Sequence, residues 1–83
     1  MKLERDPKGD FFIDPSMLAD RLAMDAGDLR RRMRLGLVTS IVEAGDGDDL
    51  GNQRLTLRSG NTVWRIIVDA ELNIVSEEVF KLT

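Results

Sequence analysis

Apolar residues recur at helical spacing between Asp14 and Leu35, and at every second position beyond Leu37. Asp14-Pro15 opens the helical part. Asp14 is suited to accept an orphan backbone N–H, and Pro15 loses nothing at the first helical position. Met17, Leu18 and Leu22 share a face. A second helix is predicted from Asp25, with Leu29 and Met33 four apart on its apolar side. Gly36 ends it, at a position that favours a left-handed backbone.

The period of two then predicts strands. Residues 37–44 and 53–58 alternate. Ser59-Gly60-Asn61 signals a tight turn, residues 62–69 are strongly β-forming, and residues 74–79 form a last strand. A two-residue turn at Gly60-Asn61 puts Leu57 opposite Trp64 and Leu55 opposite Ile66. Closing the Gly/Asp loop of residues 45–52 puts Val42 opposite Leu55 and Glu43 opposite Arg54. One face then collects Val38, Val42, Leu55, Leu57, Trp64, Ile66 and Val68, and the helices are expected to cover it. The other face holds Thr39, Ile41, Glu43, Arg54, Thr56, Arg58, Val63, Arg65 and Ile67. In the last hairpin, either Ile74 or Val75 can oppose Val68. Phe11-Phe12-Ile13 is long enough for a short strand or an anchoring segment.

The expected fold class is α+β, with two N-terminal helices packed on an antiparallel β-meander of three to four strands. One domain spans residues 1–83, helical over about 14–35 and β over about 37–80. The alternative is a winged-helix arrangement, in which the sheet is smaller and set to one side. Burial of Trp64 and Leu57 under the helices distinguishes the first from the second.

Composition narrows the chemistry. The 83 residues contain no His, Cys or Tyr. The commonest general base, the thiol nucleophile and every His- or Cys-based zinc site are therefore missing. Ser16, Ser40, Ser59 and Ser76 have no His to activate them, and Lys2, Lys8 and Lys81 lie near the ends. No enzyme activity, catalytic residue, cofactor or metal is expected. The loop Asp46-Gly47-Asp48-Asp49-Leu50-Gly51-Asn52 suggests calcium, but an EF-hand needs oxygen ligands where Leu50 and Leu57 stand. No apolar run approaches the ~20 residues that span a bilayer, and residues 1–7 lack an apolar signal segment. A cytoplasmic location without membrane contact is expected.

Charge is uneven. The net charge is −3, with +2 over residues 15–36 and −4 over residues 37–83. A pI of about 4.8 argues against a general nucleic-acid footprint but leaves room for a local basic face. Arg30, Arg31, Arg32 and Arg34 form that face, with Arg32 close to the apolar side. Arg54 is expected to pair with Glu43, and the sheet's outer face lacks the stacking aromatics of RNA-binding sheets.

Residues 18–33 resemble a helix-turn-helix, through Leu18-Ala19 and Leu22 on the first helix, Ala23 and Met24 in the turn, Asp25 as cap, and Leu29 and Met33 on the second helix. Ala23 stands where such turns usually carry Gly. Asp25 and Asp28 put carboxylates where phosphates would approach. From about Phe11 to Val79 the chain also resembles a family of short bacterial proteins classed as a domain of unknown function. The resemblance is carried by Gly36-Leu37-Val38-Thr39-Ser40, Glu43, Gly45, Gly47, Asp49, Gly51, Arg54-Leu55-Thr56-Leu57 and Val68-Asp69. It implies an α+β fold and a bacterial setting, and no activity.

Two functions fit this reading. The first is a non-enzymatic module that binds a protein partner or a second copy of itself through Ile41, Val63 and Ile67, the apolar residues expected to be uncovered on the outer face. The alternative is DNA binding through Arg30, Arg31 and Arg34 of the second helix, which is the less favoured because most of the chain is net negative.

Overall fold

The computed structural model describes residues 2–45 and 47–82, so Asp46, the first position of the loop weighed for calcium, lies outside the described residues. The chain begins with a hairpin of β1 (Glu4–Arg5) and β2 (Phe11–Phe12). The helices α1 (Pro15–Arg21) and α2 (Ala26–Arg34) follow. Then come β3 (Val38–Ala44), β4 (Gln53–Ser59), β5 (Thr62–Val68) and β6 (Ile74–Lys81), with a 3₁₀ turn at Gly47–Asp49 between β3 and β4. The four strands form one antiparallel sheet in the order β3-β4-β5-β6. The fold is α+β as expected, but the helices are not N-terminal. A hairpin precedes them: its second strand falls in the Phe11-Phe12-Ile13 run, and its first, of two residues, carries no periodicity by which to foresee it.

The local signals act as the chemistry requires. Asp14 accepts the Ser16 N–H, and Asp25 accepts the Asp28 N–H, so each helix starts on a carboxylate cap. Gly36 takes φ +71 after α2. Ala23, in the turn between the helices, takes φ +54, a left-handed conformation costly for a residue with a Cβ.

The registers of β3 with β4 and of β4 with β5 are those the hydrophobic pattern demands. Val42 opposes Leu55, Glu43 opposes Arg54, Leu57 opposes Trp64, and Leu55 opposes Ile66. In the last hairpin Val68 opposes Ile74 and Ile67 opposes Ser76, so Val75 is the extra residue of a bulge.

The core lies between helices and sheet. Leu18, Ala19, Leu22 and Leu29 pack with Leu55, Leu57, Trp64, Ile66 and Val68, and Leu3 joins from the N-terminal segment. Trp64 is 0% exposed and Leu57 is buried beside it, which is the covered-sheet arrangement and not the winged one.

Candidate functional site

The helix layer does not cover the sheet evenly. The Trp64 indole N–H donates to Glu77 Oε2 at 2.6 Å, and Arg21 Nε donates to the same oxygen at 2.7 Å. This link ties the end of α1 to β6. Over β4 and β5 the inward residues are buried, yet Val42 of β3 remains 49% exposed and Val38 is only half-buried. Val42 was expected beneath the helices. The end of α1 is instead tethered on the β6 side, and the β3 side stays open.

The uncovered strip forms a groove of about 840 Å³. Val42, Leu55 and Leu57 contribute from the sheet, Phe12 from the hairpin and Met33 from α2. The hairpin is held there by Arg5. Its guanidinium stacks 4.5 Å from the Phe11 ring centroid, donates to the Gly9 carbonyl at 2.8 Å, and donates to Gln53 Oε1 at 3.1 Å. Phe12, Met33, Leu35, Leu37 and Ile41 are also exposed, so apolar side chains flank β3 on both faces.

β3 is also a sheet edge. The Gly45 N–H donates to the Asn52 carbonyl at 2.9 Å, which fixes the alternation of backbone groups along the strand. Thr39, Ile41 and Glu43 turn their N–H and C=O toward β4. Val38, Ser40, Val42 and Ala44 turn theirs outward.

The outer face is less open than expected. Ile41 is 60% exposed and Ile67 half-buried, but Val63, expected to be uncovered, is only 4% exposed. Its cross-strand partners, Arg58 and Phe80, are two large side chains on the same face. The Arg65 guanidinium lies 5.2 Å from the Phe80 ring centroid. Several polar groups of this face pair with one another. Arg54 pairs with Glu43 at 2.9 Å, and Arg65 donates to Thr56 Oγ1 at 3.2 Å and faces Glu78 at 3.6 Å. The three residues Ile41, Val63 and Ile67 therefore do not form one open patch, and only Ile41 is prominent.

On α2, Arg31 and Arg34 are exposed, and Arg30 is exposed with a long contact of 3.4 Å to Ser16 Oγ. Arg32 is half-buried and reaches Ser59 Oγ at 3.4 Å. Among the described residues none of these arginines is ion-paired. The carboxylates of Asp25 and Asp28 stay at the N-terminal end of the helix.

Two carboxylates have depressed pKa values. Glu77 is lowered chiefly by the Trp64 hydrogen bond and further by Arg21, against the opposing effect of desolvation. Asp69 is lowered by backbone N–H groups, first that of Asn73, in the turn before β6. Both act on packing and turn geometry. Among the described residues no three Asp or Glu side chains gather as metal ligands, and no helix is long and apolar enough to cross a membrane.

A family model matches residues 1–83 in full. The chain belongs to DUF6522, a family of unknown function. Comparison with curated proteins and with solved structures finds no match. The resemblance in sequence is thus to a family that assigns no activity, and the functional reading rests on the surface of β3.

Proposed function

We propose that this DUF6522 chain is a small non-enzymatic binding module that engages a protein partner along β3. One observation carries the reading: an open strand edge lies beside an apolar groove. An edge strand offers a row of outward N–H and C=O groups, and natural proteins usually protect such an edge with charge, proline, a bulge or a covering element. β3 has no Pro and no Lys, and its one charged residue, Glu43, is neutralised by Arg54. Addition of a strand here would give backbone hydrogen bonds for affinity and side-chain pockets for specificity. The absence of His and Cys and the pairing of polar groups on the sheet support a binding role over catalysis.

The test is a photo-activatable phenylalanine analogue placed at Ile41 or at Leu37, with a control at Glu71 in the remote turn. Irradiation in cells of the native host is expected to give a cross-linked protein adduct from the β3 positions and none from Glu71. No adduct from either β3 position would contradict the reading.

A second reading is supported by the exposed arginines of α2. Arg30, Arg31 and Arg34 could meet a nucleic-acid backbone, as in a helix-turn-helix reader. Each phosphate contact removed by mutation should then lower the log–log salt slope by about 0.9. A titration of random duplex at low salt that moves no resonance between residues 25 and 36 would dismiss it.

A further inference from the structure

The binding reading leaves the partner's identity open, and on that reading we infer that the occupant of the β3 edge is a second copy of this chain. The two β3 strands pair antiparallel about a two-fold axis at Ile41 and join two four-stranded sheets into one continuous sheet.

The register is self-complementary. Antiparallel pairing requires outward-facing residues to meet outward-facing residues. With Ile41 on the axis, Val38 meets Ala44 of the second copy and Ser40 meets its Val42. Every outward N–H and C=O of β3 then has a partner. Thr39 meets Glu43 of the second copy, so no like charges are opposed. The two Ile41 side chains meet on the outer face, where each is now exposed. A symmetric dimer needs one patch that complements itself, and this strand meets that condition over its whole length.

The contrast between the two edges of the sheet supports the same assignment. β6 carries Glu77, Glu78 and Lys81, is bulged at Val75, and is approached at its start by a bridge between Lys2 and Asn73. It has the features that prevent edge pairing. β3 has no bulge and no Lys, and its one charged residue, Glu43, is paired with Arg54.

Sedimentation equilibrium of the purified full chain, from about 10 μM to about 1 mM, tests the inference. A dimer is expected within that range. Ile41→Lys should raise the dissociation constant at least about ten-fold by opposing two like charges at the axis. Val42→Pro should do the same, because the proline removes an N–H that points away from β4 and so leaves the monomer's own ladder intact. Trp64 fluorescence confirms that each variant is folded. If either variant fails to fold, the other and the wild-type concentration series still decide. A wild-type chain that stays monomeric at about 1 mM, or a dimer that persists in both folded variants, would overturn the second-copy assignment. The mass of the Ile41 cross-link separates this failure from that of the underlying reading. An adduct to a different protein overturns the second copy and keeps the binding module, whereas no adduct removes both.

Discussion

Glu77 lies outside the apolar core, yet it accepts the only polar hydrogen of the fully buried Trp64 side chain at 2.6 Å. A buried indole N–H without an acceptor is costly, and a carboxylate supplies a charge-assisted acceptor. The same oxygen takes Arg21 at 2.7 Å, so one carboxylate links β5, β6 and α1. This link lies at the β6 side of the sheet, opposite the strand that is left bare.

Truncation of Trp64 should therefore be severe. Trp64→Ala is expected to cost about 3–5 kcal/mol in a denaturant titration, the usual cost of removing a buried aromatic. A fully stable variant would contradict the placement of the core.

The carboxylate's charge should appear in the pH dependence. Glu77 titrates below its ordinary value in the folded chain, so its contribution is fully present above its unfolded pKa and is lost as pH falls through the folded one. Asp69 shifts in the same direction and adds to the loss. Thermal midpoints should therefore fall between about pH 5 and pH 2, and Glu77→Gln should flatten part of that fall. At neutral pH the variant should lose about 1 kcal/mol, the difference between a charged and a neutral acceptor, reduced by partial exposure to solvent.

Backbone strain at Ala23 gives a test of opposite sign. Its φ of +54 suits glycine. Ala23→Gly should raise stability by up to about 1 kcal/mol, since relief of a left-handed alanine outweighs the added freedom of the unfolded chain. Ala23→Val should instead destabilise, because a β-branched residue tolerates that conformation least.

Val63 and Ile41 should separate cleanly, although they occupy the same sheet face. Val63→Ala should cost about 1.5 kcal/mol at roughly 0.8 kcal/mol per buried CH₂, whereas Ile41→Ala should change the stability of the monomer by less than about 0.5 kcal/mol. Denaturant titrations at low concentration measure both.

Much of the central sheet was legible because two signals agreed. The Gly60-Asn61 turn fixed the β4–β5 register, and the alternation of Leu55 and Leu57 against Trp64 and Ile66 allowed no slip. The caps at Asp14 and Asp25 were legible from side-chain chemistry alone. The exposure of Val42 was not, because a period of two reports a face but not which strand the helices reach. The Arg21–Glu77–Trp64 link on the β6 side was hidden while the bulge at Val75 left the β6 register open. The need of a buried indole for an acceptor was the one available hint. Val63 was misjudged for a related reason, since its cover includes Phe80 on the strand whose register was open. The groove was missed because its Phe12 wall belongs to a hairpin with no periodic signature.

Amide hydrogen exchange along β3 reads the pairing of this edge residue by residue. Thr39, Ile41 and Glu43 donate within the sheet, so their amides should be protected at every concentration. Those of Val38, Ser40, Val42 and Ala44 point outward and should be protected only when the edge is paired. These four are expected to gain protection as the concentration of the purified chain rises and to lose it in Ile41→Lys. Free exchange at all four across the whole concentration range, in a chain whose neighbouring inward amides stay protected, would contradict pairing at this edge.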